Sequence, residues 1–160
     1  MSVVNSNILD SIIANNQYVL SQTTKQSPKF INLIDDTTLY LSSSDSGNTY
    51  ECSTLVSDKH VVLPQASSSI GCKYIFKSSN IVRHYLFIQA NSYTDYIYGN
   101  VIQGTTQHNS DGPLHLINLV AGNSQAGDII TLYCSNSYTW ILTGSLMNDD
   151  SLNFVGAPPP

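Results

Sequence analysis

From residue 30 to residue 144 the chain is a succession of short apolar runs, each closed by Gly, Ser, Asn, Asp or Pro, the pattern of strands separated by turns. FINLI (30–34) and TTLYLS (37–42) precede the turn SSDSGN, and residues 49–54 and HVVLP (60–64) follow it. Pro64 stops its strand because it has no N–H to donate. After the small-residue loop ASSSIG come CKYIFKS (72–78), HYLFIQA (84–90) and TDYIYGNVI (94–102), which are expected to pair as hairpins. Residues 103–113, with Gly104, His108 and Asp111-Gly112-Pro113, lack strand character and read as a surface excursion before LHLINLV (114–120). DIITLYCS (128–135) and YTWILTG (138–144) flank a tight Asn136-Ser137 turn, as in a β-hairpin. The expected fold is therefore all-β, an antiparallel β-sandwich or jelly-roll-like head over residues 30–146.

The two ends differ from this pattern. SNILDSIIAN (6–15) sets Ile8, Leu9, Ile12 and Ile13 on one side of a helix, with Ser6 or Asn7 available as a cap. A helix of about two and a half turns is too short to stand alone in water, so its apolar stripe is expected to make an assembly contact. Residues 22–29 are polar and end in Ser27-Pro28, so residues 1–29 read as a docking helix and linker. Residues 147–160 turn polar and finish in three prolines, which favour an extended tail.

Composition narrows the function classes. Charged residues make up 11% of the chain, and 23 Ser, 15 Asn and 12 Thr fill the deficit. Hydroxyls and amides compete for backbone hydrogen bonds and weaken helix interiors, in keeping with strands and turns. The net charge of −5 and the lack of a basic stretch argue against nucleic acid as a partner. No 18 apolar residues run together, so no membrane span is expected. MSVVNSNILD has neither the basic flank nor the apolar centre of a signal peptide, and no Asn-x-Ser/Thr sequon occurs, which points to production in a cytosol. Cys52, Cys72 and Cys134 are isolated and odd in number, as expected of buried free thiols, with a Cys52–Cys72 bridge left open.

Candidate chemistry is sparse. Asp58 and His60 flank Lys59 but no nucleophile elbow accompanies them. His84, His108 and His115 lack zinc-site spacing, and Asp35-Asp36 and Asp149-Asp150 belong to no calcium loop. The reading is of a chain without catalytic residues, cofactor or metal. The best candidates for ligand or partner contact are Tyr93, Asp95, Tyr96 and Tyr98, aromatics mixed with a polar group. Tyr96 and Tyr98 are expected on opposite sides of their strand, which favours packing over recognition, and Trp140 is expected in the core.

The succession TLYLSSSDSGNTYEC, HVVLP, GCKYIF, LFIQA, DYIYGN and GDIITLYCSNSYTWILTG resembles a pattern of β-structured tail-fibre, spike and minor capsid proteins of bacteriophages and large DNA viruses. It spans residues 38–144 and rests on Asp45, Ser46, Gly47, Val61, Leu63, Pro64, Gly71, Tyr74, Phe76, Gly99, Leu132, Trp140 and Gly144. The resemblance implies a virion structural protein made in the host cytoplasm, assembled as a homo-oligomer, with a trimer favoured. It would contact other virion proteins, or a host glycan or receptor. The alternatives are a carbohydrate-binding, lectin-like module using Tyr93, Tyr96, Asp95 or residues 103–113 as its groove, and a small hydrolase.

Overall fold

The apolar runs form strands, and the order in which they pair follows from a chain that changes sides after nearly every strand. A computed structural model describes residues 27–110 and 112–156; the expected helix at 6–15, with Ile8, Leu9, Ile12 and Ile13, and the prolines at 158–160 lie outside the described residues. The strands are β1 (Phe30–Asn32), β2 (Leu39–Tyr40), β3 (Thr49–Glu51), β4 (Lys59–Val62), β5 (Lys73–Lys77) and β6 (Leu86–Gln89). They continue as β7 (Tyr96–Gln103), β8 (Thr106–Asn109), β9 (Leu114–Leu119), β10 (Ile129–Asn136), β11 (Thr139–Leu146) and β12 (Leu152–Gly156). The all-β expectation holds: among the described residues the only helical elements are two short 3₁₀ turns.

The pairing departs from the antiparallel sandwich expected. The strands form one curled, mixed sheet in the order β1-β3-β5-β10-β11-β7-β9-β6-β4-β2, with β8 beside β7 and β12 beside β9. β1, β3 and β5 are parallel neighbours, and so are β2, β4 and β6. Each of the first three passes of the chain thus lays one strand in an odd row and the next in an even row. Parallel neighbours cannot be joined by a tight hairpin, and here the strand of the opposite row serves as the crossover. For the same reason CKYIFKS and HYLFIQA are not hairpin partners: β5 pairs with β3 and β10, while β6 pairs with β4 and β9. The rows join where Ile97 of β7 meets Leu114 of β9.

Because side chains alternate along a strand, register decides what meets in the core. In the odd half, Ile31, Tyr50, Phe76, Ile130, Gly144 and Val101 lie in one row across six strands. In the even half, Leu39, Val61, Ile88, Ile117 and Phe154 do the same. Their side chains belong to a single apolar cluster, apart from Gly144, which has none. A third row carries Cys134, Trp140 and Ile97, and the buried indole of Trp140 leans on Tyr74 at 5.6 Å between ring centres. Each fully buried large apolar side chain contributes about 1.5–3 kcal/mol.

Two glycines are required by this register. A Cβ on Gly99, whose φ is +154°, would stand 1.9 Å from the Leu142 carbonyl oxygen, and Leu142 is its cross-strand partner. A Cβ on Gly144 would stand 2.7 Å from the Ile129 oxygen and 2.8 Å from Ile130 Cγ2.

The stretch 103–113, expected to be free of strand, holds β8, which folds back antiparallel on β7. Its turn is Gly104-Thr105, with Gly104 at φ +57° supplying the positive dihedral that a two-residue hairpin demands. Part of the segment read as a tail is also in the sheet, since β12 pairs with β9 from Leu152 onward. Gln103 fixes that return by donating its side-chain amide to the Leu152 carbonyl and accepting from the Leu152 N–H.

Gly99→Ala is expected to lower the unfolding free energy by at least about 3 kcal/mol, because backbone must move on two strands. Gly112→Ala, with no atom near the added methyl, should change it by less than about 1 kcal/mol. Urea unfolding of both variants checks the contrast, and equal stabilities would contradict the register.

Candidate functional site

A concavity lies between the end of β6, the loop that follows it and the start of β9. It is a pocket of about 260 Å³ lined by Gln89, Ala90, Asn91, Ser92, Tyr93, His115 and Leu116. Gln89 ends β6 and faces Leu116 of β9 in register. The Ala90 N–H donates to the His115 carbonyl at 2.9 Å, which ties the loop after β6 to β9. The loop is then closed as a turn: the Asp95 N–H donates to the Ser92 carbonyl, and the Thr94 N–H donates to Ser92 Oγ.

Of the four sequence candidates, three share this surface. Tyr93 is 80% exposed and stands edge-on to His115 at 5.8 Å. His115 in turn meets Tyr96 at 5.2 Å, and Tyr96 meets Tyr98 at 6.3 Å. Tyr96 and Tyr98 therefore lie on one side of β7, not on opposite sides; residues two apart in a regular strand share a face. Asp95 is elsewhere. It is 1% exposed, and its Oδ2 accepts the Ala66 N–H at 2.9 Å. It anchors the turn that presents Tyr93 and is not part of the surface. The residues that sequence reasoning missed are Gln89, Asn91, Ser92 and His115, gathered by the β6–β9 and β7–β9 pairings rather than by any local motif.

Several other ionisable groups make local contacts. Asp58 accepts the Tyr85 N–H and lies 3.9 Å from His84 Nδ1, whereas His60 stacks on Phe87 at 4.7 Å. The buried Lys59 between them pairs with Asp35, and that ammonium holds the Asp35 carboxyl below its usual range. Glu51 is buried, which pushes its pKa up, but the Ser53 hydroxyl and the Ser79 and Ser53 N–H groups on Oε1 outweigh this and leave it lowered. Asp128 accepts from the Ser124 hydroxyl and from the Gln125 and Met147 N–H groups. Among the described residues, no three His, Cys, Asp or Glu side chains converge as a metal site, and no helix is long and apolar enough to cross a membrane.

Cys52, Cys72 and Cys134 are buried and unbridged. Burial, helped by the neighbouring Glu51 carboxylate, pushes the Cys52 thiol pKa up, and burial raises Cys134 to about 11. Burial likewise lifts the Tyr50 hydroxyl to about 12.

Comparison with protein-family models, with curated proteins and with solved structures finds no match to this chain.

The folded state keeps thiol protons that the unfolded chain releases above roughly pH 8.5. Stability is accordingly full below that pH and falls as pH rises toward the folded Cys134 value of about 11, and the Tyr50 hydroxyl adds a further loss from about pH 10 toward its folded value of about 12. Urea titrations at pH 8 and pH 10.5 should show the loss. Iodoacetamide at pH 8 should label Cys52 and Cys134 only after unfolding; rapid labelling of the native protein would contradict their placement.

Proposed function

We propose that this chain is a non-catalytic assembly or attachment module of a virion surface, a minor capsid, fibre or spike component made in the host cytoplasm. The observation that carries the reading is the state of the sheet's terminal strands. Among the described residues β1 and β2 end the strand order, each pairing on one side. Beside those edges Phe30, Ile34 and Tyr40 are 57%, 56% and 71% exposed. An unpaired edge flanked by large apolar side chains suits a contact surface, because a neighbouring chain can pair with its open backbone groups and cover side chains that are unfavourable in water.

The sequence resemblance supports the same reading. Its signature residues hold structural positions: Asp45, Ser46 and Gly47 make the turn before β3, Leu63 and Pro64 end the β4 run, and Gly99, Trp140 and Gly144 set the inward rows. A surface poor in ions and rich in hydroxyls and amides suits a durable scaffold whose neighbours are further copies of itself or other virion proteins. A lectin-like function is favoured by one specific observation, the aromatic pocket beside His115, whose lining contains no Lys, Arg, Asp or Glu.

Sedimentation equilibrium of the full chain at micromolar concentration is expected to give a homo-oligomer, with a trimer favoured. Tyr40→Lys should shift it toward monomer while altering the thermal midpoint of the subunit by no more than about 2 °C. A wild-type monomer at that concentration would refute the assembly reading.

A further inference from the structure

We infer that the pocket between the end of β6 and the start of β9 binds a neutral pyranose, the terminal sugar of an uncharged glycan, with Tyr93 as its stacking platform. The inference rests on the attachment reading and names the ligand that such attachment would use.

The first argument is the exposure of Tyr93. A tyrosine left mostly in water gains little from packing, yet the turn that carries it is held by buried bonds: Asp95 to the Ala66 N–H, and the Ala90 N–H to the His115 carbonyl. The fold thus spends a buried carboxylate on fixing a loop whose large side chain points outward. The ring meets His115 at a steep 72°, so the two do not stack, and no other aromatic ring contact involves Tyr93 among the described residues. The flat, weakly polarised C–H face of a pyranose fits an aromatic face of this kind, while its rim of hydroxyls needs donors and acceptors.

The second argument is the lining. Gln89 and Asn91 carry amides that both donate and accept, Ser92 carries a hydroxyl, and His115 carries ring nitrogens. These are the groups that satisfy neighbouring sugar hydroxyls in pairs. None of the lining residues is Lys or Arg, and the chain carries a net charge of −5. A carboxylate-bearing or phosphorylated sugar finds no counter-ion here, so the ligand class is neutral. The volume of about 260 Å³ accommodates one sugar ring with its hydration, not an extended chain, and lies below the roughly 300–1,000 Å³ usual for drug-sized ligands.

A dozen or so heavy atoms in an open pocket bind weakly, with a dissociation constant of about 1–10 mM. In an oligomer several such pockets would act together, and avidity would raise the effective affinity by a factor of about 10² or more.

The test is a titration of the isotope-labelled full chain, followed by NMR, with methyl galactoside, methyl glucoside and N-acetylglucosamine as neutral probes and N-acetylneuraminic acid as the anionic one. At least one neutral sugar is expected to shift the signals of Asn91, Ser92, Tyr93 and His115 with millimolar affinity, and the anionic sugar is expected to leave them unmoved. Tyr93→Ala should weaken binding roughly tenfold, Tyr93→Phe should keep it within about threefold, and Tyr138→Ala, an exposed tyrosine in the β10–β11 turn, should have no effect. Absence of shifts with all three neutral sugars at 50 mM or so, equal binding of the anionic sugar, or binding indifferent to Tyr93→Ala would overturn the inference. If the chain oligomerises yet no sugar binds, the ligand assignment fails while the assembly reading stands; if a neutral sugar binds in the pocket of a monomeric chain, assembly fails and the ligand assignment stands.

Discussion

Cross-strand register is the constraint on which the rest of this protein depends. The chain shuttles between two parallel rows of strands, so residues adjacent in the core come from separate passes of the chain, as with Ile31, Tyr50 and Phe76, or Leu39, Val61 and Ile88. A one-residue slip in any pass would turn its apolar set outward. The rows are pinned from both directions: Gly99 and Gly144 admit close backbone approach where any side chain would collide, and Trp140 fills the space between Cys134 and Ile97. Buried carboxylates hold the turns, with Glu51 gathering Ser53 and Ser79, Asp128 gathering Ser124, Gln125 and Met147, and Asp95 holding Ala66.

This division of labour bears on function. Asp95, Asp128, Glu51 and Lys59 are all buried and engaged, the carboxylates with backbone N–H groups and serine hydroxyls and Lys59 with Asp35. The outward positions instead carry tyrosines, hydroxyls and amides, which suit contact with other surfaces. The aromatic strip Tyr93–His115–Tyr96–Tyr98 and, on the two sheet edges, Phe30, Ile34 and Tyr40 are examples of that outward chemistry.

Strand content was legible in the sequence because each strand carries its own local signal, a short apolar run closed by a turn former. HVVLP, LHLINLV and the pair DIITLYCS and YTWILTG lie close to β4, β9, β10 and β11, and the burial of Trp140 followed from its neighbours. Pairing was less legible. CKYIFKS and HYLFIQA follow one another along the chain, and nothing local indicates that β5 and β6 belong to different rows; that choice is made by β3, β4, β9 and β10, far away in sequence. β8 was missed because TQHN is polar, its strand conformation resting on β7 and on the Gly104 turn. In the candidate site, Tyr93 was visible as an aromatic among polar residues, whereas His115 becomes its neighbour only through a non-local pairing, and Asp95 looked like a surface acid although its carboxylate is needed inside.

The most direct test of the account is a set of methyl and amide NOE contacts in the native chain. The two-row arrangement predicts contacts of Val61 with both Leu39 and Ile88 and of Tyr50 with Phe76, and none expected of a hairpin between residues 73–77 and 86–89. A ladder of antiparallel contacts joining Tyr74 and Phe76 to Leu86 and Ile88 would contradict it, and with it the placement of every inward row.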